Sequence, residues 1–364
     1  MRTLRTLFFF TALFLLFLLF LFRAPVALTG AKQGLSLFFE VLFPALFPFL
    51  VLSELVLSCG VGEALGRLFY RPLGFLFGVS KVGSGALVLG ALCGQPVASS
   101  AAASLHAQGV IGKEEVERIS LFANNPSSPF LVAAVGGALF GSTAAGVALF
   151  AITQLSAAIL GTGFRIFFGK AEKTTEKCQN GTDKRPFSAL FTTAVQRGFS
   201  CILQVGSFLI FFSALSAVLS DLLAALQLDP TWHAWIFGCL EITAGIRSAV
   251  SVLDAYSAFR LAAFLCGFGG ICVCMQILSI TQECAISAWK YLLAKLFQGG
   301  IALLLCEGYL RLFQPVLAPA KALPTLALPA HLPVLGGLIL APLLGLLWQK
   351  KKERASKSRS FHTN

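Results

Sequence analysis

The stretch Phe122-Ala-Asn-Asn-Pro-Ser-Ser-Pro-Phe130 places two asparagines, two serines and two prolines inside an otherwise apolar run. As a lipid-facing helix it would be costly, because an unsatisfied backbone group in hydrocarbon is expensive and each proline removes a donor. Unwinding exposes carbonyls and the N–H groups of a half-helix N-terminus, which suit an anion or a polar solute. Asn124, Asn125, Ser127 and Ser128 are therefore candidate substrate-binding residues. A second polar group, Glu241, Thr243 and Arg247, interrupts another apolar run. Charges at membrane depth mark substrate or ion paths. The planar Arg247 fork suits a carboxylate, and Glu241 suits a coupling ion, H+ or Na+; the alternative is a structural Glu241–Arg247 pair. Glu40, Glu54, Lys295 and Glu307 lie nearer span ends, where long side chains snorkel to the interface.

Other chemistries find no footing. There is no HExxH, P-loop or GxSxG pattern, so the chain does not read as an enzyme. Most of the 10 cysteines sit in apolar runs without a CxxC pair, and the 4 histidines are scattered. Such cysteines behave as small hydrophobes, and no metal or cofactor is expected. The net charge of +12 collects in loops and at the ends, not among surface aromatics, which argues against nucleic acid.

These residues must be positioned by membrane helices. Of the 364 residues, 57% are apolar and 12% charged, and the mean hydropathy is +0.82. A soluble domain carries about 25% charged residues, and this length has room for about eight spans. Apolar stretches run 7–22, 35–58, 84–106, 119–141, 143–164, 196–220, 233–252, 258–282, 288–312 and 333–349. The first is long for a signal peptide and reads as a retained N-terminal helix or signal anchor. If every stretch crossed the membrane, the basic loop 165–187 would lie outside. The conflict disappears if 84–106, broken at Gly94-Gln95-Pro96, and 233–252 are re-entrant hairpins. Both termini then lie in the cytoplasm. Only Arg23, Lys32, Arg260, Arg311 and Lys321 lie outside, with Arg247 and Lys295 in the membrane.

Gly34-Leu-Ser-Leu-Phe-Phe-Glu-Val aligns with Gly198-Phe-Ser-Cys-Ile-Leu-Gln-Val, each opening a span followed by a hairpin, a broken helix and another span. The second break is Gly267-Phe268-Gly269-Gly270. The two opening spans run in opposite directions, as in inverted repeats whose broken helices build a midplane site. The fold class is thus an all-α polytopic membrane protein of about eight transmembrane helices plus two re-entrant hairpins in two inverted repeats. The divisions are an N-terminal helix (1–29), a first repeat (30–165), a basic cytoplasmic linker (166–190), a second repeat (191–315), a Pro-rich loop with a last helix (316–349) and a basic tail (350–364).

At these motifs the chain resembles the sporulation integral membrane proteins of the YlbJ type, within the nucleoside-recognition Gate domain group. The resemblance covers about residues 30–315. It rests on Gly94-Gln95-Pro96-Val97-Ala98-Ser99, Asn124-Asn125-Pro126-Ser127-Ser128-Pro129, Leu240-Glu241-Ile242-Thr243-Ala244-Gly245 and Gly267-Phe268-Gly269-Gly270-Ile271-Cys272-Val273. Departures from the family pattern fall at Ala98, Ala123, Ala244 and Cys274. The resemblance implies a fold like that of concentrative nucleoside transporters. It also implies a role in endospore formation, in the mother-cell membrane around the forespore, associated with dipicolinate movement. The expected substrate contacts are Gln95, Asn124, Asn125, Ser127, Ser128, Glu241, Thr243, Arg247, Gly269 and Gly270. The expected partners are a small anionic metabolite, the coupling ion and membrane lipid. A nucleoside permease and a membrane scaffold acting through loop 165–187 remain the alternatives.

Overall fold

The structure, a computed structural model, describes residues 2–169, 186–227 and 229–313. Most of the basic loop, the Pro-rich loop, the expected span 333–349 and the basic tail lie outside the described residues. Every regular element among those described is helical.

The chain opens with α1 (Arg2–Phe22), which meets α2 (Ala24–Leu37) at 91°. A π-helical segment, Phe38–Leu42, carries α2 into α3 (Phe43–Ser58). Pro44 lies in the first turn of α3. It cannot donate to the preceding turn and its ring crowds the Glu40 carbonyl, so the helix widens there instead of ending. Next comes α4 (Val61–Phe77), whose left-handed C-cap at Gly78 (φ +65°) turns the chain by 92° into α5 (Lys81–Cys93). The Ser80 hydroxyl caps α5 by accepting from Gly83 N at 3.0 Å. The remaining elements of this half are α6 (Val97–Ala107), α7 (Lys113–Ala123), the π segment Phe130–Leu139 and α8 (Thr143–Phe168).

The second half of the chain is also a run of long and short helices. The long α9 (Phe187–Ala225) is followed by the short pair α10 (Pro230–Leu240) and α11 (Ile242–Val252). Then come α12 (Ala255–Phe268), α13 (Gly270–Ile280) and α14 (Ala288–Phe313). Carboxylates cap the short helices: Asp229 accepts from Thr231 N at 2.7 Å and Asp254 from Tyr256 N at 3.1 Å. Among the described residues four helical stretches are long and apolar enough to cross a membrane: α8, α9, α12–α13 and α14. Counting each sharply bent pair, α1–α2 and α4–α5, as one span gives up to six among the described residues.

Two expected spans are longer than their apolar cores. Helix runs from Ala24 to Ser58 rather than 35–58, and α9 has 39 residues rather than the expected 196–220. At 1.5 Å per residue α9 is about 58 Å long, well beyond a hydrocarbon core of about 30 Å. Hydropathy sees only the part in lipid; Thr192, Gln196 and Arg197 continue the helix without adding to that signal.

Small residues fix how the halves meet. A Cβ on Gly30 would fall 2.5 Å from Ala217 Cβ, one on Gly34 2.8 Å from Ser213 Cβ, one on Gly206 2.5 Å from the Phe38 ring, and one on Gly198 3.0 Å from a Val51 methyl. The partners descend along α9 as α2–α3 ascends, so the two helices pack antiparallel. Around them lie two apolar cores. One joins α3–α7 to α9, and the other joins the segment after Pro129 to α8 and α11–α14.

The crossing gives a first prediction. Gly34→Leu, which forces α9 away at Ser213 and Ile210, should destabilise the protein by about 1–3 kcal/mol. Its thermal midpoint in detergent should fall by several degrees, while Gly163→Ala, with open space at its Cβ, leaves it in place. Equal midpoints for the two variants would show that the crossing is not tight.

Candidate functional site

The first junction starts where α7 stops. Asn125 and Ser128 precede prolines and are disfavoured in helix, and Asn124 takes up an extended conformation at φ −90° and ψ 91°. Helix resumes once Leu131 N reaches Ser127 O at 3.0 Å. The turn between α5 and α6 sits on this break. Gln95 N donates to Asn125 O at 2.8 Å, and a Cβ on Gly94 would strike the Ser127 backbone at 2.7 Å. Side chains brace the arrangement: Asn124 Nδ2 donates to Ser99 Oγ at 2.7 Å and Ser120 O at 2.8 Å, and Ser99 Oγ to Ser120 Oγ at 2.7 Å.

Helix α14 closes this junction from the other half of the chain. Lys295 Nζ donates to Asn124 O at 2.9 Å and to Gln298 Oε1 at 2.6 Å, and Gln298 Nε2 donates to Asn125 Oδ1 at 2.6 Å. All four residues are buried. The spacing of three residues puts Lys295 and Gln298 on one face of α14.

The second junction is built by backbone. Gly269 (φ +87°) and Gly270 (φ +76°) separate α12 from α13 in a conformation that side chains resist. The turn between α10 and α11 lies against them: a Cβ on Gly270 would stand 3.1 Å from Leu240 O and 3.3 Å from Gly238 O. At that turn Glu241 is extended, and its carboxylate accepts from Thr243 N at 2.9 Å and Ala244 N at 2.8 Å. The carboxylate is therefore the N-cap of α11, not the partner of Arg247. A Cβ on Gly269 would lie 3.7 Å from Lys295 Cε, so one lysine borders both breaks.

The expected residues separate accordingly. Gln95, Asn124, Asn125 and Ser127 meet at the first junction, with Ser128 beside them and partly exposed. Glu241, Gly269 and Gly270 meet at the second, with Thr243 one turn along α11. Arg247 stands apart, exposed and about 9 Å along α11 from the turn.

Two residues read as snorkelling are buried instead. Lys295 is 1% exposed, two turns inside α14. Glu54 is 3% exposed, accepting from Ser104 Oγ on α6 at 2.6 Å and pairing with Arg197 on α9 at 3.3 Å. Distance from a span end misjudged both, because neighbouring helices cover those ends. Gln298 was missed altogether; the signal was an amide three residues after a lysine on an apolar helix. Among the buried polar atoms of the described residues that have no hydrogen-bond partner are Gln95 Oε1, Asn124 Oδ1 and the Tyr291 hydroxyl. The site thus combines one buried ammonium and spare acceptors.

No family model matches the chain. The sporulation integral membrane protein YlbJ of Bacillus subtilis (strain 168) is 28% identical over 310 residues, and 74% of each chain is covered. This bears out the resemblance to proteins of the YlbJ type. A solved structure of CNTnw, a concentrative nucleoside transporter, in an outward-facing state covers 80% of this chain and 84% of its own at 14% identity and a TM-score of 0.45.

The second junction can be tested with one methyl group. Gly270→Ala strains a left-handed residue and presses on the Leu240 carbonyl, so the thermal midpoint should fall by several degrees. Gly300→Ala, in open space on α14, should leave it unchanged or raise it. A Gly270→Ala protein as stable as its parent would mean that the turn does not rest on the break.

Proposed function

We propose that this chain is a membrane transporter acting in sporulation, which moves a small anionic metabolite across the mother-cell membrane around the forespore. The observation that carries the reading is the seating of two hairpin turns on two helix breaks, around a buried ammonium and unpaired acceptors. Broken backbone at membrane depth is tolerated where it lines a protein-enclosed site, and paired breaks point to a substrate near the bilayer midplane. The name of the Bacillus subtilis relative supports the sporulation context and the membrane location.

In this reading α5–α6 and α10–α11 are re-entrant hairpins. The remaining long elements, with the expected span 333–349, make eight crossings with both termini in the cytoplasm. The antiparallel packing of α2–α3 on α9 supports two inverted repeats, 30–165 and 191–315. Dipicolinate is the proposed substrate: its carboxylates need fixed donors at depth, and its accumulation belongs to spore formation. H+ or Na+ drives uptake, and membrane lipid surrounds the Phe-rich exterior.

Uptake of labelled dipicolinate into liposomes holding the purified protein tests this, with uridine measured in parallel. Saturable dipicolinate uptake that unlabelled uridine does not compete is the expected result. Uridine uptake alone would replace the reading with a nucleoside permease. Neither signal from folded protein would favour a scaffold, and deletion of 170–185 should then abolish function instead of leaving it intact.

A further inference from the structure

The chain holds Lys295 in an unusual electrostatic position. Its ammonium is buried, and no Asp or Glu pairs with it among the described residues. Both of its partners, Asn124 O and Gln298 Oε1, are neutral dipoles. An ammonium has three donors, so one is left over. Ions removed from water are normally paired, since the desolvation cost is several kcal/mol even after relaxation. Carbonyl dipoles offset part of that cost and leave the net charge uncompensated. One turn earlier on the same helix, the buried Tyr291 hydroxyl is also unused. Two spare donors four residues apart lie on one face of α14.

From this arrangement we infer that Lys295 is the residue that binds the carboxylate of an anionic substrate, with the Tyr291 hydroxyl as second donor. This rests on the transporter reading and deepens it: the fixed positive charge of the site comes from α14 and not from Arg247. Gln298 is a positioning residue. Its Nε2 is anchored on Asn125 Oδ1 and its Oε1 holds the ammonium at the break. A carboxylate arriving at Lys295 lies between the Asn124 break and Gly269, and so touches both halves of the chain. Arg247, exposed on α11, faces no such enclosure.

Four variants test the assignment: Lys295→Gln, Lys295→Arg, Gln298→Glu and Arg247→Gln. Two readouts are needed, the shift in thermal midpoint caused by saturating dipicolinate or by chloride, and dipicolinate uptake into liposomes. The parent protein should be stabilised by dipicolinate. Lys295→Gln should lose that shift and weaken uptake by about tenfold or more, the effect of one charge-assisted hydrogen bond. Gln298→Glu places a carboxylate against Nζ; it should fold and lose the shift equally, and it decides the matter if Lys295→Gln does not fold. Lys295→Arg should recover part of the shift, and Arg247→Gln should keep both signals. A shift that survives in both Lys295→Gln and Gln298→Glu overturns the inference. So does the absence of any dipicolinate shift in the parent protein, or a shift by chloride alone. A dipicolinate shift without uptake leaves Lys295 as the anion site and removes the transporter reading instead.

Discussion

Broken backbone far from water must find partners inside the protein, and the rest of this fold follows from how that need is met at Asn124–Pro129. A helix satisfies its own amides; a break bares several at once, and each one unmet is costly. Three contacts from two separate elements meet the need here. The hairpin turn offers Gln95 N to Asn125 O, α14 offers Lys295 to Asn124 O, and Gln298 takes up the Asn125 side chain. Remove any one and a polar group is stranded between two apolar cores, so the hairpin, the break and α14 are obliged to stay together.

That obligation explains where the cores divide. Phe122 and Ala123 pack with α3–α6 and α9, whereas Leu131 and Val135 pack with α8 and α11–α14. The polar break is therefore the seam between two hydrophobic units, and α14 stitches it from the far side. The second junction needs no such stitching. Gly269 and Gly270 interrupt the helix through their left-handed backbone with little loss of hydrogen bonding, and the Glu241 carboxylate satisfies the first amides of α11 within the hairpin itself. One break is held by side chains and the other by backbone shape.

This difference governs what the sequence made legible. Proline next to asparagine in an apolar run, and paired glycines in another, are local signals, and both breaks fell where those residues predicted. The hairpin turn at Gly94–Pro96 was legible for the same reason, whereas the turn at Leu240–Glu241 carries no proline or glycine to mark it. Span lengths were less so, because α9 continues as an ordinary helix past the end of its apolar stretch. The tie between Lys295 and Asn124 was not legible at all. It joins residues 171 positions apart, and a lone lysine near a span end looks the same whether it reaches for the interface or is enclosed by a neighbouring helix. Arg247 shows the converse: charge type suggested a site residue, while its helical face, set by the packing of Ile246 and Ala249, turned it outward.

The same contacts constrain how the parts can move against one another. Lys295 is bonded to the first break, so displacement of the α5–α6 turn relative to α14 disturbs that buried network. The bonds from the hairpin towards α3 and α9 are different in kind. Hairpin arm α6 is tied there by Ser104 to Glu54, which Arg197 of α9 also reaches. Elsewhere the α2–α3 and α9 pair is joined by close small-residue contacts and, at the start of α2, by the Arg23–Asp221 ion pair. Arm α6 also shares the apolar core that joins α3 to α9, so the Glu54–Ser104 contact adds a buried polar tie to a face that is already packed.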